Sequence, residues 1–274
     1  VVFIRHIIID AASTLAAVSD TPRLDAELLM AHALGTTREE LLLRHLDASA
    51  PSAFADLLTR RLAHEPVAYI TGARAFWTIE LAVGPGVLIP RPDSETLIEA
   101  AVAHFRGNPP RTILDLGTGP GTLLLAALAE WPDAEGLGID ASQDALDYAR
   151  RNAAALGMAD RAIFRLGNWA EGIDGPFDLV LCNPPYIATV EQLPADVAGH
   201  EPPSALFAGP DGLDDYRILA PQIARLIAPG GMAAVEIGHT QAAAVSVLFK
   251  AEGLGVRIAN DLAGRDRALI ARPS

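Results

Sequence analysis

The run Asp178-Leu179-Val180-Leu181-Cys182 ends abruptly in Asn183-Pro184-Pro185-Tyr186, and this junction constrains the fold more than any other stretch of the sequence. Such an apolar run suits a strand buried on both faces of a parallel sheet, whereas two consecutive prolines can neither continue a sheet ladder nor enter a helix. The chain must leave the sheet at Asn183, on the carboxyl edge where open α/β sheets bind ligands. Chemically the loop is a socket for a planar NH2 group. The Asn183 side-chain carbonyl accepts one N–H and the Pro184 main-chain carbonyl the other. Pro184 and Pro185 stiffen the loop, and Tyr186 offers an aromatic face for a flat amide or base. The competing reading is a polar turn that merely closes a strand, and a cofactor site upstream would displace it.

Upstream the sequence alternates strands and helices. Ile113-Leu114-Asp115-Leu116 reads as a short buried strand entering Gly117-Thr118-Gly119-Pro120-Gly121, followed by an apolar helix over Thr122–Glu130. Glycines there let main chain approach a ligand where a side chain would collide. The turn is not the dinucleotide fingerprint, because the third glycine of G-x-G-x-x-G would fall at Thr122. The next strand, Glu135–Asp140, ends in an acid about twenty residues beyond the glycine turn, where a carboxylate can grip ribose hydroxyls. Asp140 can also cap the following helix with Ser142; after a glycine turn the ribose role is preferred. A third strand over 162–166 ends at Gly167-Asn168-Trp169. Asn168 can bond an adenine edge and Trp169 can cover its face, or Trp169 is simply a core residue. Together these mark an adenosine-type pocket. The chain continues through a long loop over 187–212, a helix over 214–227, a turn at Pro229-Gly230-Gly231, a strand over 232–237, a helix over 241–251 and two closing strands. Loops as long as 187–212 are often lids or binding loops, and this one is expected to order when a partner binds.

The rest of the chain is expected to carry no chemistry. Residues 1–70 read as short helices over 7–18, 23–34, from Thr36 or Thr37 onward, and over 52–63. Asp20-Thr21-Pro22 opens the second and Gly35 ends it. Thr36 and Thr37, with Glu39 and Glu40, form overlapping capping boxes. Segments 67–70, 75–83 and 87–89 are β-prone and divided by Gly72, Gly84, Pro85 and Gly86, which suggests a hairpin over 71–89 between the helical part and a domain over 90–274. Asp93 or Ser94 is the expected cap of a helix reaching 105.

Composition excludes several classes. A single cysteine, Cys182, rules out an internal disulfide framework and a Cys-based zinc cluster, and it reads as a small buried hydrophobe. The seven histidines have no metal-ligand spacing, so no metal is expected. Net charge is −13 with one lysine, Lys250, which argues against direct binding of DNA or RNA. No apolar stretch has the length of a membrane span and no signal peptide is read at the start, so a cytoplasmic protein away from membranes is expected.

Five stretches together resemble one family: Glu65 to Gly72, Ile89-Pro90-Arg91-Pro92-Asp93-Ser94-Glu95, Asp115 to Gly121, Asn183 to Tyr186, and Glu236-Ile237-Gly238. They are similar to the class I S-adenosylmethionine-dependent methyltransferases called PrmC or HemK, which modify the glutamine of the Gly-Gly-Gln motif in class 1 peptide chain release factors. Asn-Pro-Pro-Tyr alone is shared with DNA adenine and RNA guanine amino-methyltransferases, which form the alternative reading. A Rossmann-like module that only binds an adenosine ligand has no use for that loop. The resemblance implies a monomer in which the helical domain recognises the release factor. It implies S-adenosylmethionine, becoming S-adenosylhomocysteine, over Gly117, Thr118, Gly119, Pro120 and Gly121, with ribose at Asp140, adenine near Asn168 and Trp169, and the methyl group facing Asn183. Pro120 and Asn168 depart from the family's pattern, in which Ser or Thr and an acid are the commoner residues there. Asn183, Pro184, Pro185 and Tyr186 are the expected catalytic set.

Overall fold

The computed structural model describes residues 2–274. The chain divides into two compact units, one comprising the residues up to Ala73 with 193–200, the other 74–192 with 201–274.

The first unit contains α1 (Ile4–Leu15), α2 (Pro22–Leu34), α3 (Arg38–Glu40) running into a π-helical turn at Leu41–His45, α4 (Ala53–Leu62) and α5 (Val67–Thr71). Helix α1 buries Ile4, Ile8, Ala11 and Leu15, the spacing of one helical face. Proline opens α2, and Gly35 closes it in the left-handed conformation. Of the two expected capping boxes, only that of Thr37 caps the backbone, accepting from the Glu40 N–H at 3.1 Å; the Thr36 hydroxyl holds the Glu40 carboxylate instead. Inside the unit, Arg61 pairs with Asp25 at 2.8 Å with both side chains buried. The segment expected to be β-prone at 67–70 is helical. Pro66 precedes it, Gly72 ends it in the left-handed region, and Ile70 packs into the helical core, so tertiary burial overrides the β-branched composition.

A hairpin of β1 (Ala73–Phe76) and β2 (Ile79–Ala82) follows, while Val87 to Ile89 joins no strand. A 3-10 turn at Pro92–Ser94 leads into α6 (Glu95–His104), which neither Asp93 nor Ser94 caps with its side chain. Asp93 is paired with Arg267 and Ser94 is bonded to Glu236. The remaining elements are β3 (Thr112–Leu116), α7 (Thr122–Glu130), β4 (Glu135–Asp140), α8 (Gln143–Ala155), β5 (Ala162–Leu166), β6 (Phe177–Cys182), α9 (Ala195–Ala198), α10 (Asp214–Ala224), β7 (Ile227–Glu236), α11 (Ala242–Ala251), β8 (Leu254–Asn260) and β9 (Asp266–Pro273). The segment 187–212 is thus not structureless: it holds α9, a 3-10 turn at Pro203–Ala205 and a bridge between Ile187 and Phe207. Pro229-Gly230-Gly231 does not precede a strand but lies within β7, where the pairing slips from Phe177 opposite Ile227 to Leu179 opposite Met232.

The seven-stranded sheet has the order β5-β4-β3-β6-β7-β9-β8. Strands β3 to β7 are parallel, and β9 runs antiparallel to both β7 and β8. Side chains alternate between its two faces. Ile113, Leu179, Leu181, Met232 and Ala234 join the core under α6 and α7, while Leu114, Val180, Cys182, Ala233 and Val235 join the core under α10 and α11. From β3 the chain builds outward to β5, then returns to place β6 on the other side of β3. The carboxyl ends of β3 and β6 therefore flank a topological switch point, the crevice where open α/β sheets hold ligands. Among the described residues, no helix is long and apolar enough to cross a membrane.

Candidate active site

A cavity of about 490 Å³ opens at that switch point. Its wall includes Gly117, Thr118, Gly119, Pro120, Asp140, Asn168, Trp169, Asn183 and Pro185 from the residues singled out in the sequence. Three others lie outside the wall: Gly121, Pro184 and Tyr186.

The glycine turn is shaped by positive φ at Gly117, Gly119 and Gly121. A Cβ on Gly117 would come within 2.9 Å of the Trp169 ring, so glycine there is what lets Trp169 close over the turn. Gly121 serves the fold instead of the cavity. It starts α7, and a Cβ on it would strike Leu125. Pro120 has no N–H to offer, yet its carbonyl accepts from Asn152 at 2.8 Å and the Gly119 N–H donates to Asp140 at 2.8 Å, so the turn is held on both sides of it.

Asp140 receives the Gly119 and Ser142 N–H groups on separate oxygens, and burial raises its pKa against those two bonds. Ser142 caps α8 through its own hydroxyl, which accepts from the Ala145 N–H, leaving Asp140 turned to the cavity. Asn168 donates its Nδ2 to Glu171 at 2.8 Å, so its Oδ1 is the atom left to accept. Trp169 belongs both to the core and to the cavity wall. It packs against the core beneath α10 and lines the cavity, with its indole N–H on Asp215 at 3.2 Å.

Asp115 was not among the expected site residues, and it is the most perturbed acid of the wall. Its Oδ2 accepts from the Thr118 hydroxyl at 2.7 Å and from the Leu124 N–H at 3.2 Å, tying β3 to the first turn of α7. Its Oδ1 is buried and has no hydrogen-bond partner. Burial lifts its pKa to about 7, because little compensates the charge.

Asn183 emerges from β6 half-buried and donates Nδ2 to Ser94 at 3.3 Å. Ser94 in turn donates to Glu236 at the end of β7, and the Tyr186 hydroxyl donates to the other Glu236 oxygen at 3.1 Å. Tyr186 is thus a strut beside the socket and not a wall of it. Burial, and then the neighbouring Glu236 charge, raise its pKa well above the usual phenol value. Gln241 clamps the same loop by donating to the Tyr186 carbonyl at 2.9 Å. On the far rim, Glu201 is buried against Arg91 and accepts from the Ile89 N–H at 3.0 Å, fixing Pro202, Ser204 and Ala205 in the wall. Cys182 is fully buried with its thiol pKa pushed up by desolvation, as expected of a core hydrophobe. No group of acids, histidines and cysteine among the described residues could hold a metal ion.

The fold, the glycine turn with its acid, and Asn-Pro-Pro-Tyr at the switch point define a class I S-adenosylmethionine-dependent methyltransferase. Residues 6–72 match the PrmC N-terminal domain family and residues 108–246 a methyltransferase domain family. The release factor glutamine methyltransferase of Rhodospirillum rubrum is 48% identical over 92% of this chain and 79% of its own. That of Caulobacter vibrioides is 46% identical over 92% of this chain and 89% of its own. This chain belongs to the release factor glutamine methyltransferase family. Among solved structures, a Thermus thermophilus 16S rRNA guanine methyltransferase, determined with S-adenosylmethionine and guanosine, shares the fold. Its TM-score is 0.52 and its identity 18%, over 74% of this chain and 50% of that one.

Proposed function

We propose that this enzyme transfers the methyl group of S-adenosylmethionine to the side-chain amide nitrogen of the glutamine in the Gly-Gly-Gln motif of class 1 release factors. The observation that carries this reading is the orientation of Asn183, whose Nδ2 donates to Ser94 and whose carbonyl oxygen is the end left to accept at the cavity. An acceptor aimed at a crevice suits a substrate that presents N–H groups.

The cavity fits the cofactor. S-adenosylmethionine carries an ammonium, and the orphaned Asp115 Oδ1 is a buried acceptor in need of a cation. Asp140 retains lone pairs for ribose hydroxyls, Asn168 Oδ1 suits an adenine amino group, and Trp169 supplies an aromatic face. Gly117 to Pro120 allow close approach of the main chain. When bound, the cofactor supplies an electrophilic methyl group on a sulfonium.

The remaining work falls to this chain. A carboxamide nitrogen is a poor nucleophile because its lone pair is delocalised into the carbonyl. Asn183 Oδ1 and the Pro184 carbonyl each accept one of its N–H bonds, which fixes the face that reacts, and Pro185 keeps the loop stiff. Such positioning can supply much of the rate. The nitrogen would gain the methyl as the methyl–sulfur bond breaks with its electron pair left on sulfur, and the proton it loses would leave along one of the two N–H directions, past Asn183 Oδ1 or the Pro184 carbonyl, to water. The helical domain over 1–70 receives the release factor, and the hairpin over 71–89 joins it to the methyltransferase domain over 90–274. The enzyme is proposed to act as a monomer. A translation protein as acceptor puts the reaction in the cytoplasm, and the net charge of −13 fits the absence of direct nucleic-acid contact.

Mass spectrometry of peptides from an unmodified release factor, incubated with enzyme and S-adenosylmethionine, tests this. One added methyl on the Gly-Gly-Gln glutamine is expected, and none when that glutamine is replaced. Label on DNA or RNA with none on the release factor would move the enzyme to exocyclic-amine methylation.

A further inference from the structure

The geometry points to Ser94 and Glu236 as positioning residues that set the direction of hydrogen bonding at Asn183, and so make the socket accept N–H groups. This inference rests on the reaction proposed above.

An asparagine amide has two nearly isosteric ends, one donating and one accepting, and a site that needs the acceptor must decide which end faces the substrate. Here the decision is made behind the loop. Glu236 is 1% exposed, and as a carboxylate it can only accept. Its two oxygens are met by two hydroxyls, Ser94 from the turn before α6 and Tyr186 from the loop itself. Ser94 is 2% exposed and has one hydroxyl proton, which is committed to Glu236. Its oxygen therefore presents only lone pairs to Asn183. The end of Asn183 that meets it must be the NH2 group, as observed at 3.3 Å, and the reversed amide would set two acceptors against each other. The acceptor character of the socket is thus written in the chain Glu236, Ser94, Asn183. The second Glu236 oxygen ties Tyr186 to the same anchor, so the charge that fixes the amide also fixes the end of the loop that carries it. Burial raises the Glu236 pKa, and the Ser94 hydroxyl, the Arg267 charge and the Tyr186 hydroxyl oppose that rise by favouring the carboxylate form on which the direction depends.

The decisive variant is Glu236→Gln, which keeps size and shape but can donate to Ser94, freeing the Ser94 proton for Asn183 Oδ1 and turning the amide over. We expect turnover on the release factor to fall by about thirtyfold or more, the loss of one well-aligned acceptor. Affinity for S-adenosylhomocysteine, measured by calorimetry, should stay within about threefold, since the cofactor half of the cavity is untouched. A second prediction separates direction from mere support. Asn183→Asp alone sets a carboxylate against the Ser94 lone pairs and should be nearly inactive. Combined with Glu236→Gln it conserves net charge and receives the freed Ser94 proton, so the double variant should exceed Asn183→Asp by about tenfold. A structural role for Glu236 predicts the opposite order. Should Glu236→Gln not fold, Ser94→Thr and Ser94→Ala decide: turnover kept by threonine and lost with alanine, at unchanged cofactor affinity, supports the inference. Wild-type-like turnover of Glu236→Gln, a double variant no better than Asn183→Asp, or equal turnover of the two Ser94 variants overturns it. Failure of the wild-type enzyme to methylate glutamine would instead overturn the proposed reaction.

Discussion

Cofactor binding should be linked to the proton on Asp115. This carboxyl is the most desolvated acid of the cavity wall, with Oδ2 accepting two hydrogen bonds and Oδ1 accepting none. Any proton it carries must therefore sit on Oδ1, the same atom a cofactor ammonium needs. In the free enzyme the group titrates at about 7 instead of 3.8. A folded-state pKa raised this way means stability fully present below the unfolded value and lost as pH rises through about 7. The rise from 3.8 to about 7 corresponds to an order of 4 kcal/mol held against the ionised free enzyme. An ammonium beside Oδ1 removes much of that penalty, so binding requires Asp115 to be ionised. Below pH 7 the affinity for S-adenosylhomocysteine should fall by about tenfold per pH unit, while above about 8 loss of the ligand's own ammonium proton should weaken it again. Calorimetric titration from about pH 5.5 to 8.5 measures this. No histidine lines the cavity, but Asp140 and Asp215 are also raised by burial, so the comparison with Asp115→Asn is what isolates the group. That variant should lose most of the acid-side slope, bind about thirtyfold more weakly at pH 7.5, and be more heat-stable than the wild type when both are ligand-free at that pH. An unchanged slope in Asp115→Asn, or undiminished affinity at pH 7.5, would refute the linkage.

Three further outcomes follow from the same geometry. Asn183→Ala should depress turnover by about a thousandfold while cofactor affinity stays within a few fold, checked by single-turnover assay beside calorimetry. Gly117→Ala places a methyl group 2.9 Å from the Trp169 ring at a positive φ, so it should cost about 1–3 kcal/mol in chemical denaturation and displace Trp169 from the cavity, visible as altered indole fluorescence. Arg61→Met breaks the buried pair with Asp25 and should destabilise the helical unit by about 3–5 kcal/mol, read by urea unfolding, with Asp25→Leu added to it restoring much of the loss.

Much of the site was legible because its signals are local. The glycine turn, Asp140 one strand later and the prolines after Asn183 announce themselves within a few residues, since each is demanded by the backbone at that point. What stayed hidden is side-chain pairing over long separations. Ser94 has the sequence context of a helix cap, and only the fold brings Glu236, 142 residues away, to claim its proton. Asp115 reads as one more member of a buried strand; the pleat turns it toward α7, away from Leu114 and Leu116, and only the turn geometry shows that half of its carboxyl is unsatisfied. Tyr186 followed the same rule, an aromatic credited to the cavity whose hydroxyl is anchored behind it. Val67–Thr71 failed for a different reason: β-branched residues state a preference, and a proline before, a glycine after and an apolar core beside it outweigh that preference.

The reversal of strand order at β3 divides the proposed site residues into two groups as well as dividing the sheet. Strands β3 and β4 and the loop after β5 bear the residues proposed to hold the methyl donor. The β6 loop and β7, with the turn before α6, bear Asn183, Glu236 and Ser94, the hydrogen-bonded chain proposed to orient the acceptor. The two groups of residues meet across a seam in the sheet and share few positions. A duplicated gene can therefore exchange its acceptor by rewriting one flank of that seam while the other passes unaltered to its descendants.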